Sequence, residues 1–316
     1  MPARTVAVIG GGPWGLALAS AAARAGTPTW LYSRQSREGS LPEGVRQASG
    51  YAQIGEVARL VILAVPSPLT GEVARAMGES LDGRHFVVHG IRGLAKDAMI
   101  PLSEVIRRES PVRRVGAIGG PVSAGELLAG KPSVMVVGSA YPEVRGAFID
   151  AFGTPSLRLY ETDDLRGLEW ASALVGCLMI GIGYAKAAGF APGLIAALIS
   201  RGIQEVGRMA AAAGGNEHTL LGLAGYGDLL ASVEQPDRPE IILGTALAHG
   251  KTLEEAQAMA KLRVEALTLI PRVADWAAGH RVKAPIFHAL SHGVLSARPA
   301  AAVVHELMTG PVEGFV

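Results

Sequence analysis

The sequence predicts an α/β fold, a doubly wound parallel sheet covered on both faces by helices, followed by an all-helical C-terminal domain. Three observations carry this. Short β-branched runs alternate with amphipathic segments through the first half, and a glycine-rich turn joins the first run to the first helical segment. Beyond about Glu161 the strand pattern gives way to Ala- and Leu-rich segments with 3.6-residue spacing. A chain of 316 residues favours two domains, placed at 1–160 and 161–316.

The expected strands are Thr5–Gly10, Thr29–Ser33, Leu60–Pro66, Phe86–His89, Val115–Gly119, Val134–Gly138 and Leu157–Tyr160. Helical segments such as Trp14–Ala25, Thr70–Gly78 and Pro142–Phe152 lie between them. The second half reads as helices over Leu165–Ala185, Leu194–Ala213, Thr252–Met259, Thr268–Ala278, Ile286–Gly293 and Ala300–Met308. Asp163 and Asp164 mark a helix start and Gly214–Gly215 a stop. No repeat, linker or low-complexity tail separates the halves, so tight packing between them is expected.

Composition narrows the function. Charged residues make up 18% of the chain and the formal net charge is +1, with no long basic tract, which points away from nucleic acid. The one cysteine, Cys177, sits in an apolar run and reads as a small buried hydrophobe. No defensible metal-ligand spacing occurs among the eight histidines. The N-terminus lacks the apolar run of a secretory signal. Trp170–Ala185 is uncharged but shorter than the ~18–20 residues that span hydrocarbon, so a buried central helix and a soluble, cytoplasmic protein without a membrane span are expected. The Ala-rich second half is compatible with a homodimer face, or with burial inside the chain.

The turn is the most informative segment. Strand Thr5–Ile9 runs into Gly10-Gly11-Gly12-Pro13-Trp14-Gly15 and then into a helix, the strand–turn–helix context in which G-x-G-x-x-G binds a dinucleotide in a Rossmann-type domain. Gly10 allows the tight turn, Gly12 lets backbone approach a pyrophosphate, and Gly15 lets helix and strand pack closely. The helix N-terminus adds free N–H groups and the positive end of its dipole. The plainer alternative is a glycine-rich turn that binds nothing. The second strand ends in Ser33-Arg34, with Arg37 beyond and no Asp or Glu for a ribose 2′-hydroxyl. A guanidinium suits a 2′-phosphate, so NADP or NAD is expected with a lean to NADP; alternatively Arg34 stacks on the adenine.

Seven strings occur in one order along the whole chain: GGGPWGLALA, LAVPS, HGIRGL, GGPVSAGE, ALISRGIQE, LAGYGDLL and LRVEA. In order and spacing the chain resembles bacterial NAD(P)-dependent glycerol-3-phosphate dehydrogenase. The resemblance implies an active site in the cleft between the sheet's carboxyl edge and the helical domain, where a doubly wound sheet places a ligand in any case. It implies cofactor contacts at Gly10, Gly12, Pro13, Trp14, Gly15, Arg34, Ala124 and Glu265, and substrate contacts at Arg92, Gly120, Asp228 and Arg238.

The substrate half departs from the family pattern. Arg92 stands where a K-G-L segment has lysine. Ala173-Leu174-Val175-Gly176 replaces A-L-K-N, so the catalytic lysine and the asparagine after it are missing. An asparagine becomes Gly193, and the phosphate-gripping S-R-N becomes Arg238-Pro239-Glu240. A positioned acid or base typically contributes about 10²–10⁴-fold to rate, and valine supplies neither. Glu240 sets negative charge where a dianion should bind. Arg92 can polarise a carbonyl but is a poor proton carrier. Arg92 and Asp228 are accordingly the catalytic candidates.

Three residues carry paired readings. His89 is a proton shuttle or an ordinary strand-end histidine. Lys186 is a stand-in for the missing lysine or a solvated helix-end residue, about 16 Å along the helix from Val175. Asp228 caps a helix or belongs to the site. The leading function is small-molecule oxidoreduction between dihydroxyacetone phosphate and glycerol 3-phosphate. The alternatives are a reductase of a different carbonyl or imine, and a catalytically silent NADP-binding regulatory protein.

Overall fold

A computed structural model describes residues 4–35, 39–95, 99–261 and 264–296, together with Arg298 and Ala302. Arg37, Leu262 and Arg263 of LRVEA, and all of the expected helix 300–308 except Ala302 lie outside the described residues.

Strand β1 (Val6–Ile9) enters the glycine turn and helix α1 (Pro13–Arg24). β2 (Thr29–Tyr32), β3 (Val45–Gln47), α2 (Tyr51–Val57), β4 (Leu60–Leu63), α3 (Thr70–Gly78), β5 (Phe86–His89) and α4 (Leu102–Glu109) follow. Then come β6 (Arg114–Gly119), α5 (Ala124–Leu128), β7 (Ser133–Gly138), α6 (Pro142–Phe152) and β8 (Leu157–Thr162). The eight-stranded sheet has the order β3-β2-β1-β4-β5-β6-β7-β8. Alternate residues of β1 feed two cores. Val6 and Val8 pack with α1 and α6, whereas Ala7 and Ile9 pack with α2, α3 and α4. That two-sided burial explains why the strands read as unbroken apolar runs.

Two features depart from expectation. β3 is a three-residue edge strand paired with β2, too short and polar for a periodicity signal. The sheet is not wholly parallel: β6 and β7 pair antiparallel, Ile118 opposite Val137. The loop and short helix α5 between them turn the chain back, because five helical residues do not provide the long crossover a parallel neighbour needs.

The helical half begins where Asp164 caps α7 (Leu165–Ala187), its carboxylate accepting from the Gly167 N–H. It continues through α8 (Pro192–Ala212), α9 (Glu217–Leu221), a π-helical turn Leu223–Gly227, α10 (Asp228–Val233) and α11 (Pro239–Ala248). Helices α12 (Leu253–Met259), α13 (Ala266–Gly279) and α14 (Pro285–Ala289) follow, and a second π-helical turn covers Leu290–Val294. Helices α9 and α11 lie outside the expected helical segments, whereas α10 covers the Leu229–Ser232 stretch of the Asp228 capping reading. α7 also runs longer than its uncharged core: at 23 residues it is long and apolar enough to cross a membrane by composition, but its whole apolar window is buried against the surrounding protein. A helix apolar on every side is satisfied by such burial. Two glycines set its distance from α11. A Cβ on Gly183 would stand 2.5 Å from the Ile241 carbonyl oxygen, and one on Gly244 2.1 Å from that of Ile180.

A buried carboxylate holds the start of α14. Glu205, on α8, accepts from the Ile286 N–H at 3.0 Å and from the Phe287 N–H at 3.3 Å. Burial pushes its pKa up to about 7 from 4.5, against the two N–H groups and the Arg208 and Arg201 charges. The folded state therefore holds this proton more tightly than the unfolded chain. The stability it contributes is complete below the unfolded pKa and is lost as pH rises toward 7, by about 3 kcal/mol in all. Denaturant midpoints should fall across that window, and Glu205→Gln should flatten the fall; equal slopes for parent and variant would refute this account.

Candidate active site

A cleft of about 810 Å³ opens between the carboxyl ends of β1, β4, β5 and β6 and the helices α7, α11 and α13. Its size lies in the range of small-molecule sites. The glycine turn forms one wall. Gly10 has φ +128°, and a Cβ there would lie 2.1 Å from the Ala64 carbonyl oxygen. Gly10 and Gly15 sit behind the surface and shape the turn, whereas Gly12, Pro13 and Trp14 line the cleft. Over Gly12 no atom comes within 4 Å of a would-be Cβ, and no side chain caps α1. Open space above uncapped N–H groups at a helix start fits a dinucleotide pyrophosphate. Trp14 lies against the β5 end, its Nε1 at 2.5 Å from where a Gly90 Cβ would be.

Of the other positions the resemblance assigns to a cofactor, Ala124 and Glu265 lie along the same cleft. Ala124 lines it as the first residue of α5, behind a capping box of Ser123 and Glu126. Glu265 enters from the helical half and accepts from the Ser67 N–H at 3.2 Å and the Ser67 hydroxyl at 2.6 Å. This contact joins residues 198 positions apart in sequence. Ser67 was not singled out by sequence; its one signal is its place at the end of the LAVPS string. Arg34 lies exposed beyond β2, outside the cleft lining, near enough to Tyr51 for its charge to act on that phenol.

The opposite end of the cleft holds a compact charge cluster. Asp228 opens α10 directly after the π-helical turn, and its side chain is wholly buried. It makes no cap; instead Arg92 Nη2 stands 2.7 Å from Oδ2 and Arg238 Nη2 3.3 Å from Oδ1. Both contacts are close charge pairs whose angles fall short of hydrogen bonds, and Arg92 Nη1 has no partner. Burial works against the Arg92 charge, but Asp228 and Glu240 outweigh it and raise its pKa above the ordinary guanidinium value. Arg238 goes the other way: burial and the neighbouring Arg92 charge lower its pKa, against Asp228, Glu240 and Glu126. Both guanidiniums line the cleft while paired with the buried Asp228, and Arg238 Nε also donates to Gln235 Oε1 at 2.6 Å.

Gly120, at φ +103°, lines the cleft at the end of β6. Gly176, Pro239 and Glu240 also line it, Pro239 as the first residue of α11. Val175 does not: it is fully buried in the helical core. Gly193 is exposed at the start of α8. The paired readings separate by geometry. His89 points away from the cleft into a buried network, its Nε2 2.9 Å from Glu169 of α7, which also accepts from the Ser103 N–H and hydroxyl. Lys186 donates to the Val233 carbonyl at 2.8 Å at the surface. Cys177 is buried, and burial raises its thiol pKa far above the ordinary value. Among the described residues no group of three or more His, Cys, Asp or Glu could hold a metal.

Comparison with known proteins agrees with this layout. Residues 35–145 match the model of the NAD-dependent glycerol-3-phosphate dehydrogenase N-terminus, and residues 164–304 that of its C-terminus. The NAD(P)+ glycerol-3-phosphate dehydrogenase of Desulfitobacterium hafniense is 31% identical over 324 residues, covering 96% of this chain and 91% of the relative. The chain belongs to the NAD-dependent glycerol-3-phosphate dehydrogenase family. That family uses NAD or NADP. The crystal structure of glycerol-3-phosphate dehydrogenase from Coxiella burnetii superposes with a TM-score of 0.90 at 27% identity, covering 97% of this chain and 99% of that one. The Saccharomyces cerevisiae enzyme, at 18% identity and a TM-score of 0.83, shares the fold. Across the cleft from the glycine turn, the helical half presents Arg238, Glu240 and Glu265; Asp228, expected to touch substrate, is wholly buried behind Arg92 and Arg238 and does not line the cleft.

Proposed function

We propose that the chain is an NAD(P)-dependent dehydrogenase, a divergent family member without the catalytic lysine, that holds a small substrate by an anionic group at the Arg92–Arg238 end of its cleft. Residues 1–160 bind the dinucleotide and residues 161–316 complete the substrate end. The observation that carries this is one cleft with a glycine cradle at one end and two guanidiniums, held by a buried carboxylate, at the other. Gly12, Pro13 and Trp14 would hold the pyrophosphate side, with Ala124 and Glu265 along its length and Arg34 at the adenosine end. When bound, the nicotinamide supplies two-electron redox chemistry.

The chain's own groups bind and orient. Arg92 and Arg238 draw in the substrate's anionic group, and Arg92 polarises the reacting double bond. Asp228 holds both guanidiniums in place from a buried position and is a positioning residue. Dihydroxyacetone phosphate and glycerol 3-phosphate are the reference pair, with Val175, Pro239 and Glu240 altering the pocket that would receive them. Titration with NADPH and NADH, followed by dihydroxyacetone phosphate-dependent oxidation, tests the reading. Failure to bind either dinucleotide would end it. A silent regulatory protein is the second reading, favoured by the buried valine in place of the lysine, and would show binding without turnover on any substrate.

Arg34→Ala is expected to weaken NADPH by about 10–100-fold, the worth of a charge-assisted hydrogen bond, and NADH far less. Equal losses for both dinucleotides would assign Arg34 to the adenine instead.

A further inference from the structure

We propose that the guanidinium end of the cleft takes a small zwitterion, a carboxylate next to a protonated imine, with Arg92 and Arg238 receiving the carboxylate and Glu240 facing the nitrogen. This rests on the dehydrogenase reading and names its substrate class.

Charge comes first. The cluster holds two cations, Arg92 and Arg238, and two anions, Asp228 and Glu240, so it is balanced before any ligand enters. A phosphate dianion would add two negative charges beside Glu240, a juxtaposition that costs several kcal/mol in selectivity. A zwitterion adds none. The two ends of such a ligand also find separate partners. Arg92 and Arg238 both line the cleft, Arg92 with 27% of its side chain exposed, and a carboxylate accepts from guanidinium N–H groups.

Glu240 provides the opposite pole. It lines the cleft from the first turn of α11, and among the described residues its carboxylate makes no hydrogen bond and no contact ion pair. Its Oε1 lies 3.8 Å from where a Gly176 Cβ would stand, and only Ala266 shares that space. The glycine leaves a gap beside an open carboxylate, with room for a cationic nitrogen.

The chemistry matches the residues present. Ketone reduction leaves an alkoxide that needs a proton. Of the described residues that line the cleft, none is a histidine, tyrosine or cysteine. The one lysine, Lys131, stands exposed just past α5, the helix tied to α1 through Arg24 and the Leu127 carbonyl. A protonated imine brings its own proton. Its reduction takes two electrons and one hydrogen from the reduced dinucleotide as co-reactant; a C–H bond forms and the C=N π pair becomes the nitrogen lone pair. The product is an amine, and the step draws no proton from the protein.

The test uses the full chain with three substrates of similar reach: 1-pyrroline-2-carboxylate, 2-oxopentanoate and dihydroxyacetone phosphate. NADPH binding, followed by its fluorescence, is measured first. The imino acid should exceed the other two in kcat/KM by at least about tenfold. Calorimetry with NADP+ present should show proline, the reduced product, binding tighter than glycerol 3-phosphate. Glu240→Gln should weaken proline and strengthen glycerol 3-phosphate, each by about tenfold, whereas Glu240→Asp should retain the parent's order. The proposal falls if NADPH binds and dihydroxyacetone phosphate is the better substrate, if the imino acid is not turned over, or if Glu240→Gln moves both ligands the same way. The parent's own ligand order decides the matter should the variant not fold. Absence of NADPH binding would remove the dehydrogenase reading as well.

Discussion

Asp228→Ala is expected to destabilise the protein by about 3 kcal/mol and to abolish turnover. The carboxylate is wholly buried between two guanidiniums, and removing it leaves both without a counter-charge. Breaking a buried ion pair from one side typically costs about 3–5 kcal/mol, because the remaining charge stays desolvated. The lower end applies here, since the Arg92 side chain keeps 27% exposure to the cleft and can be rehydrated. Asp228→Asn, which preserves shape, should lose nearly as much, because the deficit is one of charge. Anions should partly rescue Asp228→Ala: inorganic phosphate entering the vacated space would raise its unfolding midpoint more than the parent's. Denaturant titrations with and without phosphate check this. A variant with the parent's midpoint and no phosphate response would show that Asp228 contributes nothing to holding the pair.

Gly15→Ala and Gly12→Ala should differ although they lie three residues apart. A Cβ on Gly15 would sit 1.9 Å from the Gly10 carbonyl oxygen, a backbone atom that cannot rotate away. The turn must open, at about 1–3 kcal/mol for overpacking, and dinucleotide binding should be lost with it. A Cβ on Gly12 meets nothing within 4 Å, so the fold should keep its stability to within about 0.5 kcal/mol. The methyl would still occupy the space above the start of α1 that a pyrophosphate needs, and NADPH affinity should fall at least about tenfold. Thermal unfolding and NADPH titration of the two variants separate these effects. A stable Gly15→Ala that binds NADPH would overturn the assignment of the turn.

Much of the fold was legible because its signals are local. β5 falls at Phe86–His89 as its apolar run indicates, and α6 at Pro142–Phe152, with proline at its first position. The turn was legible because a glycine at φ +128° and a helix start leave a spacing in the sequence. β3 was not, since three residues with one buried side chain carry no period. The antiparallel β7 escaped because a strand's direction is not written in its own residues. α7 begins at Leu165 as its spacing indicates and ends at Ala187, two residues beyond the expected Ala185.

The site divides along the same line. The sequence alone determined the two-part architecture, the glycine turn and the valine at position 175, because these depend on periodicity, backbone freedom and side-chain identity. Only the tertiary structure decided that Asp228 is a counter-ion and not a cap, that His89 is held by Glu169 away from the cleft, and that Glu265 closes on Ser67. Those choices join residues far apart in the chain, and the packing of α7 and its neighbouring helices against the sheet brings them within reach.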